Sequence, residues 1–115
     1  YSDVSKEQNE QLQLSRPLPA SLPEGADALC AALLRLDTIE ECRAFLGDLC
    51  TPAEIEALAG RWRVAQRLYN GGAQRTIATE TGISIATVTR VARFLNHGYN
   101  GYRVLLDKDE KDQNI

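Results

Sequence analysis

Arginines and short hydroxylated side chains are concentrated between Gln74 and Arg93, a composition typical of a surface that contacts nucleic acid. Guanidinium groups pair with guanine, hydroxyl groups bond to phosphates or base edges, and methyl groups pack against thymine. Residues 61–97 hold six arginines and one acidic residue, Glu80, whereas residues 1–60 hold four basic and eleven acidic residues. The net charge of −3 therefore conceals a locally positive segment, which favours an anionic partner such as DNA.

The same segment, residues 74–93, has the pattern of a helix-turn-helix. Ile77 and Ala78 supply the apolar and small residues that are needed where two helices cross, and Gly82 tolerates the positive φ of a turn. Ser84 is a favoured N-cap for the second helix. Three apolar residues lie at spacings that point back at the first helix: Ile83, Val88 and Val91. An ordinary αα-hairpin with a glycine turn is the alternative, but the coincident arginines favour the helix-turn-helix.

The second helix of this motif is predicted to enter the major groove of double-stranded DNA. Its outward side and leading end carry small or polar residues, namely Ser84, Ile85, Ala86, Thr87, Thr89, Arg90 and Arg93. Gln74 and Arg75, at the start of the first helix, are predicted to reach flanking phosphates or an outer base.

Helix signals also divide the chain before the motif. Three segments have the capping-box form, in which a Ser or Thr oxygen and a Glu carboxylate satisfy free amides at a helix start: Ser21–Glu24, Thr38–Glu41 and Thr51–Glu54. Pro52 falls at a first helical position, and Gly71-Gly72 ends that helix. A last helix is predicted over about Gly101 to Leu106. Because no segment alternates convincingly at period two, an all-α fold is predicted.

The domain organisation follows from length and composition. A chain of 115 residues is enough for one domain, which is predicted over residues 21–106. Residues 1–20 are predicted to be a flexible N-terminal tail and residues 107–115 a disordered C-terminal tail. No apolar segment is long enough to span a membrane, and no signal pattern opens the chain, which predicts a cytoplasmic protein that does not bind membranes.

Few residues could serve catalysis or metal binding. His97 stands outside any Ser/His/Asp or Cys/His arrangement, and Gly71-Gly72 lacks the pattern of a phosphate-binding loop. Cys30, Cys42 and Cys50 have spacings that suit neither a disulfide framework nor a zinc site. We therefore predict a protein that is not an enzyme and needs no cofactor or metal.

Four sequence segments together resemble the Trp repressor superfamily, and more closely its YerC/YecD branch of small bacterial Trp-repressor-like proteins. The resemblance covers about residues 49–96. Its segments are Thr51-Pro-Ala-Glu-Ile-Glu-Ala-Leu58, Arg61-Trp-Arg63, Gln74-Arg75 and Ile85-Ala-Thr-Val-Thr-Arg90. The resemblance implies a six-helix fold, an intertwined homodimer built from the N-terminal helices, and a transcriptional regulator, most simply a repressor. It also implies DNA contacts by Ile85, Ala86, Thr87, Thr89 and Arg90, with Gln74 and Arg75.

The resemblance further implies a possible effector pocket at Arg61, Arg90, Val91 and Phe94. In Trp repressors two arginines sandwich the indole ring, and the matching residues are Arg61 and Arg90. The glycine and serine that complete the family's pocket are replaced by Val91 and Phe94. L-tryptophan is therefore not expected to be the effector, whose identity stays open. The alternative function is a protein-interaction module that keeps the helix-turn-helix only as a scaffold.

Overall fold

The structure, a computed structural model, describes residues 22–113, and these residues form six α-helices and no β-strand. The helices are α1 Ala26–Leu33, α2 Ile39–Leu49, α3 Pro52–Tyr69, α4 Gln74–Thr81, α5 Ile85–His97 and α6 Gly101–Gln113. The predicted all-α, six-helix fold class is confirmed. The predicted tail at residues 1–20 lies outside the described residues.

Two predicted capping boxes begin helices as expected. At α3, the Glu54 amide donates to Thr51 Oγ1 at 3.2 Å and the Thr51 amide donates to Glu54 Oε1 at 2.8 Å. Hydrogen bonds of the Glu54 carboxylate with the Thr51 amide, and secondarily with the Thr51 hydroxyl, lower the pKa of Glu54. At α2, the Glu41 amide donates to Thr38 Oγ1 at 3.0 Å, but Glu41 Oε1 accepts from the Asp37 amide instead of from Thr38.

The first helix starts later than the sequence predicts. Ser21 lies outside the described residues, and α1 begins at Ala26 with Gly25 as its N-cap. The Ala26 amide donates to the Pro23 carbonyl at 3.1 Å, so a turn precedes the helix. Gly25 closes that turn with φ 88°, which a residue without Cβ adopts freely. The predicted helix start at Ser21–Glu24 was therefore wrong.

The last helix is longer than predicted, since α6 runs to Gln113 instead of ending near Leu106. Residues 107–113 therefore continue a helix that we expected to give way to a disordered tail. Leu106 is only 4% exposed and anchors α6 in the core. The Tyr69 hydroxyl bonds to Asp107 and Glu110 in the next turns. Contacts across the fold thus stabilise a segment whose own composition favours disorder.

The chain divides within α3 into two compact units, and we call the described residues 60–113 the C-terminal unit. Its core consists of buried apolar side chains on α3, α4, α5 and α6: Val64, Ala65, Ile77, Val88, Val91, Ala92, Leu95 and Leu106. Four of these lie on α5 at helical spacing, so the opposite side of that helix does not pack against this core. Burying an aliphatic side chain of this kind contributes about 1.5–3 kcal/mol.

The described residues 22–59, which we call the N-terminal unit, have a different character. None of them is buried, although α1 and α2 are well formed. Large apolar side chains are instead exposed, among them Leu22, Leu29, Leu33, Leu34, Ile39, Leu49 and Leu58. Large apolar side chains exposed in such number are typical of a surface that packs against another protein.

Candidate nucleic-acid interface

A three-residue turn, Gly82 to Ser84, connects α4 to α5. Gly82 has φ 75° and ψ 4°, and its amide donates to the Ala78 carbonyl at 3.0 Å, which ends α4. Thr81 Oγ1 then accepts from the Ile83 amide at 3.2 Å and donates to the Ile77 carbonyl at 2.6 Å. The positive φ predicted at Gly82 is confirmed. The turn also closes with hydrogen bonds on both sides of the glycine, which the sequence did not predict.

The cap of α5 also matches the prediction. Ser84 Oγ accepts from the Thr87 amide at 3.2 Å and donates to Thr87 Oγ1 at 3.0 Å. The serine therefore satisfies one of the free amides at the helix start. It also fixes the rotamer of Thr87, which is half-buried.

Apolar packing fixes how α5 lies against α4. Ile77 of α4 and Val88 of α5 are fully buried, and Val91 is 2% exposed. A Cβ atom added at Gly60 of α3 would lie 3.3 Å from Ile83 Cδ1, tighter than ordinary contact. The glycine therefore lets the turn residue Ile83 approach α3 closely. These contacts hold the helix pair without using the outward side of α5.

The residues predicted to contact DNA lie on the remaining surface. Ile85 is 50% exposed, and seven others are exposed: Gln74, Arg75, Ser84, Ala86, Thr89, Arg90 and Arg93. The structure brings α4 and α5 together at this surface, where Thr89 Oγ1 donates to Gln74 Oε1 at 3.0 Å. That inter-helix bond was not predicted, because residues 15 positions apart give no periodic signal. The surface combines guanidinium, hydroxyl, amide and methyl groups, which can bond both to phosphates and to base edges.

The four residues predicted to line an effector pocket lie around one cavity of about 520 Å³ in the C-terminal unit. They are Arg61, Arg90, Val91 and Phe94. The sequence reasoning missed the remaining lining residues, which are Trp62, Tyr99, Gly101, Tyr102 and Leu105. The spacing of Tyr102 and Leu105, both on α6, could have indicated a shared helical side. Trp62 and Tyr102 stack with their ring centroids 6.3 Å apart.

Within this cavity, the Arg90 guanidinium lies over the Phe94 ring. Both residues are on α5, one helical turn apart, which is the spacing at which helical side chains meet. Phe94 thus places an aromatic ring against Arg90, and Val91 fills the turn between them with a buried branched side chain.

Polar contacts connect the two helices of the motif, α4 and α5, with α3 and α6 and connect α3 with α6. Arg67 forms an ion pair with Glu80 at the end of α4. The Tyr69 hydroxyl contacts Asp107 Oδ1 at 2.5 Å and Glu110 Oε2 at 2.6 Å, and these two carboxylates raise the pKa of the phenol. Arg103 of α6 donates from Nε to the Leu95 carbonyl at 2.9 Å, which satisfies a carbonyl near the end of α5.

These features define an all-α protein in which a helix-turn-helix packs against two further helices, α3 and α6. The chain belongs to the Trp repressor protein family, whose model matches residues 24–110. It is 46% identical to the uncharacterized protein YerC of Bacillus subtilis over 82 residues. This alignment covers 71% of this chain and 79% of that protein. The resemblance drawn from the sequence is thereby confirmed.

Two solved structures have a similar fold. One is a proposed Trp repressor from Staphylococcus aureus, with a TM-score of 0.72 and 37% identity over 90% of this chain and 94% of that one. The other is a TrpR-like protein from Eubacterium eligens, with a TM-score of 0.70 and 36% identity over 75% of this chain and 89% of that one.

Two features that are typical of other classes of protein are absent from the described residues. No helix within residues 22–113 is both long and apolar enough to cross a membrane. In the same part of the chain, no group of three or more His, Cys, Asp or Glu side chains is placed to hold a metal ion. The three cysteines are unpaired thiols, of which Cys30 is exposed and Cys42 and Cys50 are half-buried.

Proposed function

We propose that this protein is a sequence-specific DNA-binding transcriptional regulator, a repressor, that reads the major groove with α5. The observation that carries the proposal is the division of α5 into two sides. Val88, Val91 and Leu95 are buried against the rest of the unit, while Ile85, Thr89 and Arg90 are exposed. A helix whose position is fixed by one side is free to present the other to base edges.

Charge supports the same function. The segment 61–97 has six arginines and one acidic residue, and that residue, Glu80, is paired with Arg67. The three arginines of the helix-turn-helix, Arg75, Arg90 and Arg93, are exposed. Exposed guanidinium groups around an outward helix attract the phosphate backbone and release its counterions.

A homodimer is part of the proposal. The N-terminal unit buries none of its own described residues, and its exposed leucines would be covered if two copies packed through these helices. An intertwined arrangement of this kind would place two copies of α5 about 34 Å apart, one turn of DNA. The operator would then have two related half-sites.

We further propose that L-tryptophan is not the effector of this regulator. The Phe94 ring already lies against Arg90, and Val91 is buried beside them. Overpacking such a site costs about 1–3 kcal/mol. The cavity is also lined by Trp62 and Tyr102, whose rings stack with their centroids 6.3 Å apart.

Selection of bound DNA from a random library, followed by binding measurements over a salt series, tests the proposal. We expect a two-fold symmetric site and an affinity for random DNA that falls steeply with salt. Binding that neither selects a sequence nor depends on salt would overturn the proposal and favour a protein-interaction module.

A further inference from the structure

The hydrogen bond between Thr89 and Gln74 joins the outer side of α5 to the start of α4. Both side chains are exposed, and the two helices are already held together by the buried Ile77 and Val88. A hydrogen bond between exposed side chains adds little to folding, because water offers equivalent partners. The bond instead determines which hydrogen-bond donors and acceptors the two side chains present to a ligand.

The direction of this bond determines that set. A hydroxyl group has one hydrogen, and Thr89 uses it on Gln74 Oε1, so towards a ligand Thr89 offers only lone pairs. Gln74 uses its amide oxygen on Thr89, which turns the two hydrogens of its NH₂ group away from the bond. An unrestrained glutamine pairs with adenine through one donor and one acceptor. The bond occupies one of the two lone pairs of the oxygen and restrains the amide group, whereas both hydrogens of the NH₂ group stay available. Two such donors match a base edge with adjacent acceptors.

We propose that Gln74 and Thr89 act as one specificity-determining unit. Thr89 orients the Gln74 amide so that its NH₂ group donates to the O6 and N7 edge of a guanine in the major groove. Guanine presents two acceptors there, whereas adenine presents one acceptor and one donor. Arg75, the next residue, has only donors and is exposed, so the start of α4 is complementary to acceptors throughout. This inference rests on the proposed function and names one base of the site.

A set of variants at the two positions tests the inference. Affinities are measured for the selected site and for the same site with guanine replaced by adenine. We expect the wild-type protein to prefer guanine by roughly tenfold or more, as for a good two-bond base contact. Thr89→Val, which removes the donor at nearly constant volume, reduces that preference to about twofold or less, while Thr89→Ser retains it.

The double variant separates a coupled pair from two independent contacts. If Thr89 acts through Gln74, then Gln74→Ala and the Gln74→Ala/Thr89→Val double variant lose the same preference at the same base pair. Thr76→Val is the matched control, since Thr76 is also exposed on α4, and it leaves the preference unchanged.

Two results would overturn the inference while leaving the proposed function intact. One is a guanine preference that survives Thr89→Val. The other is that Gln74→Ala and Thr89→Val each lose base preference at a different base pair, and that the two fold-changes in preference multiply in the double variant. A wild-type protein that selects no site at all would instead overturn the proposed function and the inference with it.

Discussion

The guanidinium carbon of Arg90 lies 4.8 Å from the centroid of the Phe94 ring. A cation over an aromatic face at this distance is attracted by the ring's quadrupole, by about 0.5–1 kcal/mol at an exposed site. The chain therefore supplies its own aromatic partner for the arginine that, in the Trp repressor resemblance, corresponds to one side of the indole sandwich.

Isothermal titration with millimolar L-tryptophan is expected to show no saturable binding, and the ligand is expected to leave DNA affinity unchanged. Overpacking by Val91 costs about 1–3 kcal/mol. The hydroxyl partner lost at Phe94 costs about 1.5–3 kcal/mol more. Together these reduce affinity by roughly two to four powers of ten.

The double variant Val91→Gly/Phe94→Ser tests whether Val91 and Phe94 are the residues that prevent tryptophan binding. It restores the two residue types that the family pocket uses, so measurable tryptophan binding is expected to appear. Circular dichroism checks that the variant stays helical. A dissociation constant in the tens of micromolar for the unchanged protein, with tighter DNA binding, would contradict the prediction.

Arg75 and Arg90 are expected to contribute to DNA binding in different ways. Arg75→Ala is expected to weaken binding to every DNA sequence and to reduce the salt slope by about one, as the loss of a phosphate contact would. Arg90→Ala and Thr87→Ala cost about 1–3 kcal/mol, mainly for the preferred site. Filter binding with specific and random DNA measures both quantities, and Arg43→Ala on α2 serves as the control. An unchanged ratio of specific to random affinity in Arg90→Ala would refute the groove assignment.

Gly82→Ala is expected to destabilise the protein by about 1–2 kcal/mol, because φ 75° is unfavourable for a residue with a Cβ atom. Space is not the reason, since an added Cβ would meet nothing within 4 Å. Gly47→Ala is the control, because that glycine lies inside α2 and alanine there is expected to stabilise by about 0.5–1 kcal/mol. Urea unfolding of both variants compares them, and equal effects would show that the turn conformation is not what requires glycine.

Sedimentation is expected to give a mass near twice the chain's 12.7 kDa at micromolar concentration. Leu34→Glu weakens the dimer, since Leu34 is 86% exposed in the N-terminal unit and would lose a packing partner. Ile85→Glu places the same charge on an exposed apolar residue of the C-terminal unit and leaves the mass unchanged, although it impairs DNA binding. A wild-type mass near that of one chain would exclude the dimer.

Raising the pH above 10 is expected to destabilise the wild-type protein more than Tyr69→Phe. The hydrogen bonds to Asp107 and Glu110 raise the pKa of Tyr69 above its ordinary value of 10.0. Their stabilising contribution is therefore fully present below pH 10 and is lost as the phenol ionises at higher pH. Urea unfolding over a pH series detects this, and parallel curves for the two proteins would show that the phenol does not couple α3 to α6.

Local signals in the sequence were sufficient for much of the fold and for the helix-turn-helix. Thr51, Pro52 and Gly82 each satisfy a backbone requirement within a few residues, so their roles could be predicted without knowledge of the tertiary structure. The extent of α6 could not, because it depends on Leu106 entering the core and on a tyrosine 38 positions earlier in the chain.

The candidate site shows the same contrast. The spacing of residues on α5 was enough to predict most of its exposed side chains, but Thr87, which was predicted to face outward, is half-buried. The Gln74–Thr89 bond depends on how α4 and α5 cross, and the Trp62–Tyr102 stack depends on how α3 lies against α6. Both are tertiary relationships between residues far apart in sequence, and no single-sequence periodicity encodes them.

The two-sided character of α5 also has an evolutionary consequence. The buried row of Val88, Val91 and Leu95 holds the helix in place, whereas Ile85, Ala86 and Thr89 are exposed and are not among the core residues. Substitutions in the second group are therefore expected to cost little in folding free energy. Descendants of a duplicated gene could acquire different target sequences through these positions alone, with the scaffold inherited unchanged.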